Sequence, residues 1–148
     1  MAWYSKYLSI YGKNFNEVSN DIISETRERL AALQSEKPLA SIVVIAYNEE
    51  QHLQACLWAL SEIKCKYPVE IIGVDNDSKD RTAEIFEASG IPYYTEYQHS
   101  CGYARRCGLQ HSKGKYYFDI DSDTIYPPHY FDIMLEELLK PDVSCVSS

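Results

Sequence analysis

The sequence predicts an α/β fold: a mostly parallel sheet flanked by helices, preceded by an amphipathic helix. Three observations carry this. From Ser41 onward, short apolar runs alternate with stretches of helical periodicity, the pattern of strand–helix repeats with helices on both sides of a sheet. The first run is apolar throughout and rich in β-branched residues, as a central parallel strand requires. Polar clusters fall where the runs end: "YNEE" after the first, "DNDSKD" after the second and "DSDT" after the fourth. Open parallel sheets bind ligands beyond the carboxyl ends of their strands.

Residues from about Asn14 to Gln34 read as one helix. Phe15, Val18, Ile22, Ile23, Leu30 and Leu33 form a broad apolar stripe, with charges opposite. Lys37-Pro38 ends it, because the residue before a proline is held away from helical geometry. "SIVVIA", Ser41 to Ala46, is the first strand. "NEEQHLQACLWALSEI" follows as a helix, with Asn48 as its cap and Gln51 three residues on, resembling a capping box. Leu53, Cys56, Leu57 and Leu60 give its buried stripe. "VEIIGVD", Val69 to Asp75, is the second strand, and a helix runs from about Asp80 to Ala88. "IPYYTEY" is the third strand, and "GYARRCGLQHS" a helix broken by Gly114. "KYYFDID" is the fourth strand, and "YFDIMLEELL" a helix with Phe131, Met134, Leu135 and Leu138 on one face. "VSCVSS" begins a further strand, so the sheet is expected to be truncated. The expected division is 1–38, an aromatic-rich segment with its helix, and 39–148, the strand–helix part.

A length of 148 residues fits one domain of ordinary size, and a net charge of -8 argues against nucleic acid as the main partner. A single phosphate-bearing small molecule stays compatible if arginines or a metal supply local positive charge. Cys56, Cys65, Cys101, Cys107 and Cys145 form no CxxC pair and no zinc spacing. Reduced thiols and a cytoplasmic location are expected. No window approaches the roughly 18 apolar residues of a spanning helix. The opening "MAWYSKYLSIYGKN" lacks the apolar run of a signal peptide. Its aromatics are expected to pack on the domain or a partner; contact with the inner face of a membrane is the alternative.

"YYFDIDSDTIYPP" sets Asp119, Asp121 and Asp123 at every second position. Like charges held close cost stability unless something positive lies among them. A calcium loop counted from Asp119 needs glycine sixth and glutamate twelfth, and finds Thr124 and Tyr130. A phosphatase of the haloacid dehalogenase type opens its domain with such a strand; here three strand–helix units come first, and Ile125 makes the motif a near miss. The third reading is a D-x-D site, Asp121-Ser122-Asp123, holding Mg²⁺ or Mn²⁺ on a diphosphate. Hard cations prefer carboxylate oxygen and share their shell with substrate phosphates.

The blocks "SIVVIAYNEEQHLQACLWAL", "VEIIGVDNDSKDRT" and "GYARRCGLQHSKGKYYFDIDSD", with the Pro-Pro-helix after them, resemble the nucleotide-binding half of a GT-A glycosyltransferase of family 2. The resemblance covers about Ala40 to Val146. It implies a Rossmann-like sheet and a metal-dependent transfer of sugar from a nucleoside-diphosphate sugar, a UDP- or GDP-sugar, to an acceptor hydroxyl. The acceptor would be a glycan or lipid-linked molecule. Ala46, Tyr47, Asn48 and Glu49 are then expected along the nucleotide, and Asp75 and Asn76 at the base or ribose. Arg105 and Ser122 join the donor site, with Asp121 on ribose or metal and Asp123 the first metal ligand. The alternative for Arg105 is a structural pair with Asp119. Arg106 replaces the usual asparagine of the family. Asp77, Ser78 and Asp80 are expected to form a turn and helix cap.

The resemblance places the family's general base beyond residue 148, so no catalytic residue is expected within this chain and it is expected to bind donor and metal with little or no transfer of its own. An unfinished sheet edge makes a homodimer the expected hazard. Three alternatives stand: a non-catalytic nucleotide-binding or interaction module, a haloacid-dehalogenase-like phosphatase, and a nucleotidyltransferase, whose glycine-rich basic loop "AYNEE" does not supply.

Overall fold

The computed structural model describes residues 1–147. Four strands, β1 (Ala40–Ala46), β2 (Val69–Asp75), β3 (Tyr93–Thr95) and β4 (Tyr116–Asp121), form one parallel sheet in the order β3-β2-β1-β4. Six helices accompany them: α1 (Ser5–Leu8), α2 (Asn20–Leu33), α3 (Leu53–Ser61), α4 (Thr82–Ser89), α5 (Cys101–His111) and α6 (Tyr130–Leu138).

Side chains alternate across a strand, so each strand serves two layers. Ile42 and Val44, with Ile71, Phe118 and Ile120, meet Leu30, Leu57, Phe86 and Leu135 from α2, α3, α4 and α6. Val43, Ile72 and Val74 face the other way and meet Ala104 and Cys107 of α5. Full burial of each Leu, Ile or Phe stabilises by roughly 1.5–3 kcal/mol, against about 0–1 for an exposed ion pair, so these two apolar layers hold the sheet. Gly108 lets α5 lie close: a Cβ there would come within 2.5 Å of Val43 Cγ1.

Helix α3 is buried along its whole length. One side meets the sheet; the other meets the N-terminal segment, where Tyr7, Ile10 and Val18 pack on Ala55, Trp58 and Ala59. Tyr7 stands edge-on to Trp58 at 5.1 Å and donates its hydroxyl to Glu62, which also pairs with Lys6 and Arg29. Burial pushes the Glu62 carboxyl up, but bonds from Lys6 and Tyr7 and the charges of Lys6 and Arg29 outweigh it and hold it below its ordinary range.

Four elements differ from the sequence expectation. The stretch from Asn14 to Gln34 is two pieces, a 3-10 turn over Phe15–Glu17 and then α2. Val18 and Ser19 are extended between them, and the Ser19 hydroxyl accepts from Ile22 N–H at 3.4 Å, starting the helix afresh. Local side-chain bonds of this kind compete with a continuous helix. Helix α3 begins at Leu53, so Asn48 is not its cap. Instead Asn48 takes the left-handed conformation, φ 51°. Its N–H donates to Ser78 Oγ at 2.9 Å and its Oδ1 accepts from Lys79 N–H at 2.8 Å. Strand β3 is short because it pairs only with Gly73–Asp75 and follows Pro92, which has no N–H to give. Residues 143–147 form no strand: Asp142, at φ 64°, turns the chain, and Ser144 to Val146 line a groove beside Tyr116 to Phe118. Ser148, the last residue of that expected strand, lies outside the described residues.

Candidate functional site

From β1 the chain steps to β2 and β3 on one side and returns to β4 on the other. That reversal opens a crevice at the carboxyl ends of β1 and β4. The cleft there has a volume of about 340 Å³. Ile45, Tyr47 and Glu49 line it from the end of β1, Asn76 from β2, and Cys101 and Arg105 from α5. Asp119, Asp121, Ser122 and Asp123 complete it from β4.

Because Phe118 and Ile120 enter the core, Asp119 and Asp121 share the opposite face, the one α5 covers. Arg105 of α5 forms an ion pair with Asp119. The pair expected as the alternative role of Arg105 is therefore formed, although 56% of the arginine side chain remains exposed to the cleft. Burial pushes the Asp119 carboxyl above its usual range despite the charge and hydrogen bond of Arg105, with Asp121 adding to the rise. Asp119 in turn raises the Arg105 guanidinium.

Asp121 and Asp123 differ from Asp119. Among the described residues, no lysine, arginine or histidine forms a salt bridge with either. Asp123 Oδ1 accepts a long bond from the Thr124 hydroxyl at 3.4 Å. The backbone of this turn is firmly held. Asp121 N–H donates to the Tyr126 phenol oxygen at 3.1 Å, and the Asp123 carbonyl accepts from the Tyr11 hydroxyl at 2.7 Å. Burial raises both phenols, and nearby carboxylates, Asp123 first, add to the rise at Tyr11. Both therefore stay protonated at neutral pH.

The acids after β2 are engaged within the protein. Asp75 is buried and accepts from Ser78 N–H at 3.2 Å. Asp77, at φ 58°, pairs with Lys79 at 3.0 Å and His99 at 3.2 Å. Asp80 accepts from Thr82 N–H at 2.9 Å and from Glu50 N–H at 3.1 Å. The expected turn is present. Asn76 donates to the carbonyls of Glu96 and Gln98 at 2.7 and 2.8 Å and accepts from Ser100 N–H at 3.2 Å. Its amide thus ties down the loop ahead of α5.

Of the residues expected at the site, Tyr47, Glu49, Asn76, Arg105, Asp121, Ser122 and Asp123 gather around the cleft. Tyr47 is half exposed and stands edge-on to His99 at 5.5 Å. Glu49 pairs with His52 at 2.7 Å. Ala46 lies buried beneath, its carbonyl accepting from Asn76 N–H at 2.9 Å. Asn48 latches two loops, and Asp75 does not reach the cleft wall. Sequence reasoning missed Tyr11 and Tyr126; the aromatic density of the first 14 residues was the available signal for Tyr11.

Among the described residues, no group of three or more His, Cys, Asp or Glu side chains is arranged to hold a metal by itself. Asp121 and Asp123 offer two hard carboxylates that, among the described residues, form no ion pair. That donor set fits Mg²⁺ or Mn²⁺ only where phosphate oxygens and water supply the remaining ligands.

The family model described as "Glycosyl transferase family 2" matches residues 41–148. An uncharacterised glycosyltransferase of Rickettsia prowazekii is 32% identical over 107 residues, 71% of this chain and 33% of that protein. The glycosyltransferase AglE of Haloferax volcanii is 30% identical over 122 residues, covering 78% of this chain and 38% of its own length. The chain thus spans about a third of the length of these two relatives. Two solved structures share the fold. S. aureus TarS 1-349 in complex with UDP-GlcNAc superposes with a TM-score of 0.58 at 22% identity, over 67% of this chain and 30% of that one. The mannosyltransferase PcManGT of Pyrobaculum calidifontis, in complex with GDP-Man and Mn2+, gives 0.61 at 19% identity, over 98% and 47%.

Proposed function

The chain belongs to glycosyl transferase family 2, and on that premise we propose that the crevice between β1 and β4 binds a nucleoside-diphosphate sugar through a divalent cation held by Asp121 and Asp123. The observation that carries this reading is the pairing pattern of the strand-end acids. Asp75, Asp77, Asp80 and Asp119 have partners within the protein, while Asp121 and Asp123 line the cleft without an ion-pair partner among the described residues. The two carboxylates would hold a divalent cation together with a diphosphate, and its charge would relieve the repulsion between them.

Each group at the cleft has a defined task in this reading. Asp121 and Asp123 place the cation, Mg²⁺ or Mn²⁺, against the diphosphate. The cation, when bound, offsets charge building on the departing diphosphate. Tyr47 offers its exposed ring to the base. Ser122 lies buried between the two aspartates. Arg105 neutralises Asp119, and its exposed edge remains available to phosphate oxygen. Sugar transfer to an acceptor hydroxyl belongs to the whole protein and needs a carboxylate base; none of the residues named here is assigned that role.

The related structures with UDP-GlcNAc and with GDP-Man and Mn2+ support a nucleotide sugar as the ligand class and leave two bases to compare. Isothermal titration with UDP and with GDP, each with and without Mn²⁺, tests the reading. One nucleotide should bind more tightly when Mn²⁺ is present, and Asp123→Ala should abolish that gain. Equal binding with and without metal overturns the metal-bridged site. Absence of binding to either nucleotide would favour an interaction module.

A further inference from the structure

The N-terminal segment lies outside the family match, which begins at residue 41, yet it reaches the cleft. We propose that Tyr11 is a positioning residue for the metal site, holding the Asp121–Asp123 turn through its hydroxyl and thereby coupling the N-terminal segment to cation binding. This rests on the donor-site reading above.

Two phenols grip the turn at its two ends. Tyr126 takes the N–H of Asp121, and Tyr11 gives its hydroxyl to the carbonyl of Asp123 at 2.7 Å. A bond to the Asp123 carbonyl restrains the backbone from which the carboxylate springs, and so narrows where that carboxylate can be placed. Tyr11 is itself held from three sides. Its ring lies on His52 at 4.6 Å, and His52 pairs with Glu49 of the cleft at 2.7 Å. Its neighbour Gly12 donates N–H to the Gln51 carbonyl at 2.8 Å. Gln51 in turn donates its side-chain amide to Asn14 Oδ1 at 3.1 Å. Upstream, Tyr7 and Ile10 anchor the segment against Trp58 and its neighbours. One residue therefore bridges the loop after β1 and the turn after β4, the two walls of the crevice. A metal site depends on outer groups that orient its ligands, and loss of such a group typically weakens metal binding by about 10- to 100-fold. A single neutral hydrogen bond to backbone sits below that range, at about three- to tenfold.

Tyr11→Phe removes the hydroxyl and keeps the ring on His52. The readout is the ratio of nucleotide dissociation constants without and with Mn²⁺, measured by calorimetry on the full chain with UDP and with GDP, beside thermal melting. The ratio should fall about three- to tenfold in Tyr11→Phe, with metal-free nucleotide binding and melting temperature unchanged. An unchanged ratio in Tyr11→Phe, while Asp123→Ala abolishes it, overturns this inference alone. A Tyr11→Phe protein that melts early and loses affinity equally with and without Mn²⁺ assigns the tyrosine a structural role and also overturns it. A wild-type protein that gains nothing from Mn²⁺ overturns the donor-site reading and this inference with it.

Discussion

The loops after β2 and β4 are built from the same materials, closely spaced aspartates with a serine among them, and they partner those materials differently. After β2, Asp75 and Asp80 accept backbone N–H groups and Asp77 pairs with Lys79 and His99. After β4, Asp119 has an ion-pair partner in Arg105, and among the described residues Asp121 and Asp123 have none. Side-chain oxygens turned onto nearby N–H groups make a turn. On the proposed reading, the same oxygens left facing a cleft make a place for a charge from outside. Composition does not separate the two loops; the partner of each carboxylate does.

The strongest way to break this contrast is to exchange the consequences of mutation. Asp123→Ala should reduce the Mn²⁺-dependent gain in nucleotide affinity by at least about tenfold, since even the outer partners of metal ligands carry about 10- to 100-fold. Its folding stability should stay near wild type, because no cation loses its partner. Asp80→Ala should do the reverse. Losing the bonds to Thr82 N–H and Glu50 N–H should lower unfolding free energy in urea by about 1–3 kcal/mol, the range for two lost hydrogen bonds, with the Mn²⁺ ratio unchanged. If Asp80→Ala abolished the metal effect and Asp123→Ala destabilised the fold, the two loops would have been assigned the wrong way round.

Acid titration sharpens the comparison with smaller effects. Burial raises Asp119 above the ordinary aspartate value of 3.8. The bond from Lys79, then the charges of Lys79 and His99, outweigh its desolvation and hold Asp77 below 3.8. On lowering the pH, Asp119 should take its proton first and Asp77 after it, as followed by carboxyl-carbon NMR. The linked stabilities have opposite signs. The contribution of Asp119 is fully present below pH 3.8 and is lost as pH rises through its raised value. The contribution of Asp77 is present above pH 3.8 and is lost as pH falls through its depressed value. Titration in the reverse order would place the stronger cation at the wrong loop.

Much of the fold was legible because strands buried on both faces announce themselves: "SIVVIA" and "VEIIGVD" correspond to β1 and β2 with at most a residue of difference. The helix over 130–138 was equally clear from Phe131, Met134 and Leu135. What escaped were features decided by partners distant in sequence. Asn48 looks like a helix cap beside "EEQHLQ", yet its bonds go to Ser78 and Lys79, 30 and 31 residues away. Ser19 was hidden within a good amphipathic stripe, because a stripe continues in register whether or not the backbone breaks within it. At the site, the acid cluster and its end-of-strand position could be read directly. The Arg105–Asp119 pair could only be weighed, and the Tyr11 contact, 112 residues away from Asp123, leaves no local pattern to find.

Helix α3 has no outward face of its own; Trp58, Ala55 and Ala59 are covered by Tyr7, Ile10 and Val18. The residue at which the family match starts is therefore a poor place to start a shortened protein. A version beginning at Ser41 would bare an oily strip along α3, and it should aggregate more readily on expression than the 148-residue chain.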